Sequence, residues 1–341
     1  MYRVLIICPS AGEESDTPCG ADIYVLAKYL TEHYDVTVEV LTSRKDIEIN
    51  EKLKCAYIET YKDKWKDAVT EYKNSGNIVV KIINRFKVAY YSREVEKHNI
   101  ARYVMSFKEL KDWIAGTDNM EYDLLISVSH PFYVHQYAKY IFENLTIKKW
   151  CSYFLDPYAD NSETRPNEIE KRVVEEDEIF RECTNLFVVK EFVSKAVNSK
   201  IRDYTEKIIY VPTHPIVDKT GSGNTNKFKR SEVHCVFTGM FYDTIRNPRE
   251  LFEIFKLLPS NYYLHLYYKG CSNIVEEYRS VLGGRLITNG YITDKTEFDN
   301  MIRSMDILLN VGNAISNQVP SKILNYFSYG KPVLNFKSCE D

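Results

Sequence analysis

The sequence predicts an α/β protein of two doubly wound, Rossmann-like domains. Short apolar runs alternate with longer helical patterns along most of the chain, and one non-periodic stretch divides that alternation. With 341 residues and 44% hydrophobic content, the chain can bury two cores. Parallel strands joined by crossover helices are the expected outcome.

The first domain is assigned to 1–216. "RVLIICPS" (3–10) reads as a buried strand, "ADIYVLAKYLTEH" (21–33) as an amphipathic helix and "DVTVEVLT" (35–42) as the next strand, a βαβ opening. Strands follow at "DLLISVSH" (123–130), "KKWCSYFLD" (148–156), "TNLFVVK" (184–190) and "KIIYVPTHP" (207–215), with helical stretches between them. The linker is 217–230, "VDKTGSGNTNKFKR", rich in Gly, Asn, Ser, Thr and charge and without periodicity. In the second domain, 231–341, the alternation resumes through "HCVFTGMF", "NPRELFEIFKLLP", "YLHLYYKG", "RLITNGYI", a helix through "DNMIRS" and the strand "DILLNVG".

Composition excludes several classes. A net charge of −3 gives no global attraction to nucleic acid, and no segment reaches the roughly 18 uninterrupted apolar residues of a membrane span. The opening apolar run is too short for a signal peptide, so the protein is expected in the cytoplasm. Eight cysteines without a C-x-x-C pair or histidines at metal spacing fit reduced, mostly buried thiols.

Doubly wound sheets bind ligands beyond the carboxyl ends of their strands, across the cleft expected between two such domains. Four stretches qualify: "PSAGEESDTPCG", where Gly12 and Gly20 allow close backbone approach; "SHPFYVH" with His130; "FLDPY" with Asp156; and "TGMFYDTIRNP" with "NVGNAISNQVPSKILNY" in the second domain. In the last, Pro320, Ser321 and Lys322 open a helix after a polar loop, where backbone N–H groups, the helix dipole and a lysine favour phosphate. Arg246, followed by Asn247 and Pro248, begins another helix, as an anion ligand or a solvated cap. His130 contacts a ligand or satisfies local backbone; Asp156 accepts from a bound hydroxyl or caps the following turn. The acidic run 175–178, "EEDE", reads as a solvated helix face. Basic Lys81, Arg85, Lys87, Arg93, Lys97, Arg102 and Lys108, interleaved with Phe86, Tyr90, Tyr91 and Tyr103, form either a solvated face or, over 81–108, a contact with anionic lipid.

These parts, in this order, resemble the retaining, nucleotide-sugar-dependent glycosyltransferases of family 4, which have the GT-B fold. The likeness covers nearly the whole chain: a Gly-containing loop (Cys19, Gly20, Ala21), a His after a first-domain strand, Asp156-Pro157-Tyr158, "FTGMFYDTIRNPRELFEIF" with Gly239, "ITNGYI" with Gly290 and Tyr291, "MDILLN" and "VPSKILNYFSYGKPVL". The resemblance implies transfer of a sugar with retention, from a nucleotide sugar to a glycan or lipid-linked acceptor, in capsule or exopolysaccharide synthesis. It implies a donor site of Gly20, Gly239, Arg246, Gly290, Tyr291, Asn317, Pro320, Ser321, Lys322 and Asn325, with His130, Asp156, Arg246 and Lys322 in catalysis. Two family glutamates eight positions apart match Asn317 and Asn325, and one of a family basic pair falls on Met240. An amide keeps an acceptor oxygen but loses the charge and bidentate geometry of a carboxylate.

The sequence has no Asp-x-Asp, so no metal or other cofactor is expected, with Lys322, Arg246 and helix N–H groups meeting the leaving-group charge. The family continues past "GKPVL" with another strand and helices; this sequence ends at Asp341, so the second domain is expected to lack the usual final helices. Asn317, Asn325 and Met240 leave open a catalytically silent GT-B subunit, and a nucleotide-sugar epimerase is the third reading.

Overall fold

The computed structural model describes the chain apart from residues 13–14, 16, 46, 48, 97–103, 118–119, 130, 162–163, 212–227, 244–245, 293, 313–320 and 337–341. Two compact units emerge, Met1–Val211 and Pro212–Asp341. Most of the stretch 217–230 lies outside the described residues.

In the first unit the apolar run at the N-terminus forms β1 (Tyr2–Ile7), whose Leu5, Ile6 and Ile7 are wholly buried. Helix α1 (Pro18–His33) starts on an N-cap, Thr17, whose hydroxyl accepts from Gly20 N–H at 3.1 Å, with Pro18 in the first turn. β2 (Val36–Thr42) and β3 (Leu53–Tyr57) follow. Residues 43–122, where the sequence pattern yields no assignment, also hold α2 (Tyr61–Asn74), α3 (Ile78–Glu96), α4 (Phe107–Ala115) and the two-residue β4 (Glu121–Tyr122). Then come β5 (Leu124–Val128), α5 (Tyr133–Asn144), the short β6 (Thr146–Ile147), β7 (Trp150–Phe154), α6 (Ile169–Glu182), β8 (Asn185–Val188), α7 (Lys190–Ser194) and β9 (Ile208–Tyr210).

The main sheet runs β3-β2-β1-β5-β7-β8-β9, parallel throughout, with β1 paired to β2 (Val4 opposite Val38) and to β5 (Val4 opposite Leu124). Strand order reverses direction between β1 and β5, which makes the ends of those strands the switch point where ligands bind in such sheets. One face is filled by a cluster around Leu5, Trp150, Phe154 and Phe180, the other by Val4, Ile6, Ile23, Ala27 and Val40.

The second unit repeats the plan with β10 (Val233–Met240), α8 (Arg249–Leu257), β11 (Tyr262–Lys269), α9 (Ser272–Leu282), β12 (Leu286–Asn289), α10 (Lys295–Ser304), β13 (Ile307–Val311), α11 (Ser321–Phe327) and β14 (Val333–Phe336). Its parallel sheet runs β12-β11-β10-β13-β14, with the switch point between β10 and β13. Phe237, Phe252, Phe255, Leu264 and Leu266 fill one face; Val236, Ile302, Leu308 and Tyr326 fill the other. None of the seven described cysteines is in a disulfide.

Candidate functional site

Both switch points carry the sequence-predicted residues, each in its own unit. At the end of β1 the chain turns through Cys8–Gly12 and enters α1 at Thr17–Gly20. Gly20 faces the loop so closely that a Cβ there would lie 2.1 Å from the Ser10 carbonyl oxygen. Only glycine lets α1 begin against that loop, and Gly12 is buried in it. Cys19 Sγ donates to the Ser129 carbonyl at 3.6 Å, tying α1 to the end of β5. His130 itself lies outside the described residues.

Asp156 sits half-buried two residues past β7, on a loop held by α6. Tyr158 and Ala159 N–H donate to Glu176 Oε1 at 3.1 and 3.4 Å, the Tyr158 hydroxyl donates to Glu175 at 2.8 Å, and the Arg172 guanidinium covers the Tyr158 ring at 4.8 Å. The same ring stacks on Phe132, centroids 3.8 Å apart and planes within 3°, so the loops after β5 and β7 are joined. The acidic run 175–178 therefore differs from its expected solvated face: Glu176 and Asp177 are buried, Glu176 completely. Burial pushes the Glu176 carboxyl up to about 7, against the Ser199 hydroxyl and the two amides, which favour its charged form. Asp177 takes Tyr204, Arg181 and Lys200 at 2.7, 2.8 and 3.4 Å, and its carboxyl stays below the usual range through those partners despite burial. Deeper under the sheet, His135 Nδ1 meets Ser127 Oγ at 2.8 Å, and burial brings this imidazole down to about 3.

In the second unit, Gly239 near the end of β10 has φ 137°, a conformation side chains disfavour. Tyr242 and Arg246 then close a small antiparallel loop, exchanging backbone hydrogen bonds at 3.1 and 3.3 Å. That closure returns Arg246 to the strand end, where its Nη1 reaches the Met240 carbonyl at 3.5 Å. The guanidinium is partly buried, and desolvation lowers its pKa from the ordinary arginine value. A partly desolvated cation attracts phosphate more strongly than a solvated one. Met240, at the place of a family base, is 41% exposed.

Helix α11 is fixed beside the same strand end. Tyr326, buried on that helix, hydrogen-bonds Thr238 Oγ1 at 2.8 Å and accepts from Thr238 N–H at 3.2 Å. The Arg246 guanidinium acts on this phenol electrostatically. Arg246 and the body of α11 thus come together at the end of β10. Asn317 and Pro320 lie outside the described residues, as do the side-chain placements of Ser321 and Lys322, whose backbone opens α11. Asn325 is exposed, and its carbonyl accepts the Ser328 hydroxyl at 2.6 Å.

Sequence reasoning missed three groups here. Gly270 (φ +82°) lets the loop after β11 pass Phe241, whose carbonyl oxygen would sit 2.3 Å from a Cβ at 270. Lys269 ends β11 with its ammonium 4.4 Å from the Tyr291 ring, joining the ends of β11 and β12. Tyr326 is the third. Gly270 was legible only as one glycine among several, and Lys269 as one surface lysine. Among the described residues nothing lies within 4 Å of where a Cβ at Gly290 would sit, unlike the close approaches at Gly20 and Gly270. Among the described residues, no group of three or more His, Cys, Asp or Glu side chains is placed to hold a metal ion.

No family model matches the chain, and no curated protein matches it. Solved structures do. Over 98% of this chain, sucrose-phosphate synthase from Thermosynechococcus elongatus aligns across 81% of its own length at 14% identity, TM-score 0.64. Over the same share, the apo lipopolysaccharide outer core galactosyltransferase WaaB aligns across 80% at 12% identity, TM-score 0.55. S. aureus MnaA with UDP aligns across 78% at 13% identity, TM-score 0.52. At these identities the likeness fixes the fold, two Rossmann-like units of the GT-B type.

Proposed function

We propose that the protein is a glycosyltransferase that moves a sugar from a nucleotide-sugar donor to a glycan or lipid-linked acceptor. The observation that carries the reading is the convergence at the end of β10: Gly239, a partly buried Arg246, and α11 held there by Tyr326 on Thr238. The GT-B neighbours support it, several of them a transferase, a synthase or a complex with UDP by name.

Departure of a nucleoside diphosphate leaves negative charge on phosphate, which preorganised donors stabilise as it develops. Arg246 and Lys322 supply that charge in this reading, with Lys269 and Tyr291 bordering the nucleoside. Asp156 receives the acceptor hydroxyl, and His130 contacts the transferred sugar. Configuration is retained, following the family that the sequence resembles, and no metal is needed, the sequence having no Asp-x-Asp. The enzyme works in the cytoplasm or at the inner membrane face, in synthesis of a cell-surface polysaccharide.

The experiment is incubation with a panel of nucleotide sugars, following nucleoside diphosphate release with product analysis. Release with a new glycosidic product, unaffected by chelator, supports the reading. Turnover that vanishes in chelator and returns with magnesium or manganese overturns metal independence alone. Nucleotide binding without turnover across the panel favours the second reading, a silent GT-B subunit, which Met240 at the family's basic position motivates. Inversion at C2 of a nucleotide sugar would mark an epimerase instead.

A further inference from the structure

Helix α3 holds its apolar side chains in solvent. Ile78, Val79, Ile82, Ile83, Phe86 and Tyr90 are between 50 and 73% exposed. At 100° per residue they fall in one arc of about 140° along the helix. The opposite side turns inward: Asn84 is buried, and Tyr91 packs toward Tyr61, ring centroids 6.5 Å apart. So the helix is amphipathic in an inverted sense, its apolar stripe outward. Scattered apolar surface needs no explanation, but six large side chains on one stripe do.

Charge says what covers them. Lys81 and Arg85 run along one border of the arc, Lys87 along the other, and Arg93 falls within the arc at its C-terminal end; all four are exposed, and none makes an ion pair among the described residues. Acidic residues on this helix are confined to positions 94 and 96 in its last turn. We infer that α3 is a membrane-binding element that lies flat on an anionic phospholipid surface, with Ile82 and Phe86 seated among acyl chains and the four cations at the headgroup phosphates.

A second copy of the chain is the competing occupant. Pairing two such faces would oppose the same lysines and arginines, and like charges brought together cost binding, whereas lipid phosphate complements them. The inferred contact differs in extent from the expected stretch 81–108. Lys97, Arg102 and Tyr103 lie outside the described residues, Lys108 is paired with Asp112 at 2.5 Å, and Ile78, Val79, Ile82 and Ile83 join the contact. Among the described residues no helix is long and apolar enough to cross a membrane, so the contact is interfacial. The inference stands on this helix and does not require the glycosyltransferase reading.

The test is co-sedimentation of the whole protein with sucrose-loaded vesicles, either pure phosphatidylcholine or containing about 30% phosphatidylglycerol. The wild-type chain should prefer the anionic vesicles by about tenfold or more, with the preference shrinking in salt. Phe86→Asp with Ile82→Asp, and separately Lys81→Glu with Arg85→Glu, should each lower that binding by about tenfold or more at unchanged circular dichroism. Equal binding to both vesicle types, or variants that bind like wild type, overturns the inference. So does concentration-dependent dimerisation abolished by Phe86→Asp, which would assign the face to a second copy. Because no donor is present, vesicle binding without turnover would count against the enzyme alone, and turnover without vesicle binding against this surface alone.

Discussion

Replacing Glu176 by Gln should make the first unit more stable at neutral pH and leave it nearly unchanged in acid. The carboxyl is wholly buried, with Oε1 receiving the Tyr158 and Ala159 amides, and Oε2 finds no hydrogen-bond partner among the described residues. Its pKa rises from 4.5 to about 7, chiefly through burial. A raised carboxyl pKa means that the folded state holds a proton that the unfolded chain releases between those two values. The stability this group contributes is therefore fully present below pH 4.5 and lost as pH rises through about 7. At 1.36 kcal/mol per pH unit, the loss is about 3 kcal/mol. Gln keeps the accepting oxygen and carries no charge, so Glu176→Gln should match wild type near pH 4.5 and exceed it by about 3 kcal/mol at pH 8.

The difference between the proteins must be measured, because wild type alone mixes opposing slopes. His135, lowered to about 3 by burial, withdraws stability as pH falls below its unfolded value of 6.5 and cancels in the comparison. Trp65, Trp113 and Trp150 all belong to the first unit, so tryptophan fluorescence in urea follows that unit separately. Parallel stability curves from pH 4.5 to 8, or a Gln variant weaker than wild type at pH 8, would refute the buried, nearly neutral carboxyl.

Tyr326→Phe removes the partner of Thr238 N–H and Oγ1 in a buried place and should cost the second unit about 1–3 kcal/mol, read by chemical denaturation. An unchanged midpoint would show that α11 is held by packing alone. Arg246→Ala should weaken UDP binding by about 1.5–3 kcal/mol in calorimetry, the value of a hydrogen bond to a charged group, and unchanged affinity would remove Arg246 from the donor site. Asn325→Glu restores an acid at the family position and should tighten UDP binding by about 1 kcal/mol if residue 325 meets the ribose. No gain would favour the silent-subunit reading.

Elements built on local periodicity were legible in the sequence. The βαβ opening matches β1, α1 and β2, and the second-domain alternation matches β10 to β13, because buried parallel strands are continuous apolar runs whatever surrounds them. Where burial depends on distant partners, the sequence misled. Glu176 lies in a run of four acids that reads as solvated, yet it is covered by a loop 17 and 18 residues upstream. Helix α3 is not delimited by the sequence pattern, for the opposite reason. Its apolar stripe faces outward, so the rule that apolar positions mark the core points to the wrong side.

Tyr326 shows how the most specific local motif gains meaning from one long-range contact. Tyr326 is pinned to Thr238, two residues before the end of β10, so the side of α11 that carries Tyr326 is turned toward the strand end where Arg246 returns. The aromatic hydroxyl thereby sets the rotation of the helix beside Arg246. Asn325, one residue off, is on the exposed side of the same turn. Losing the Tyr326 hydroxyl should therefore weaken UDP binding as well as stability, whereas a helix held only by apolar packing would lose neither.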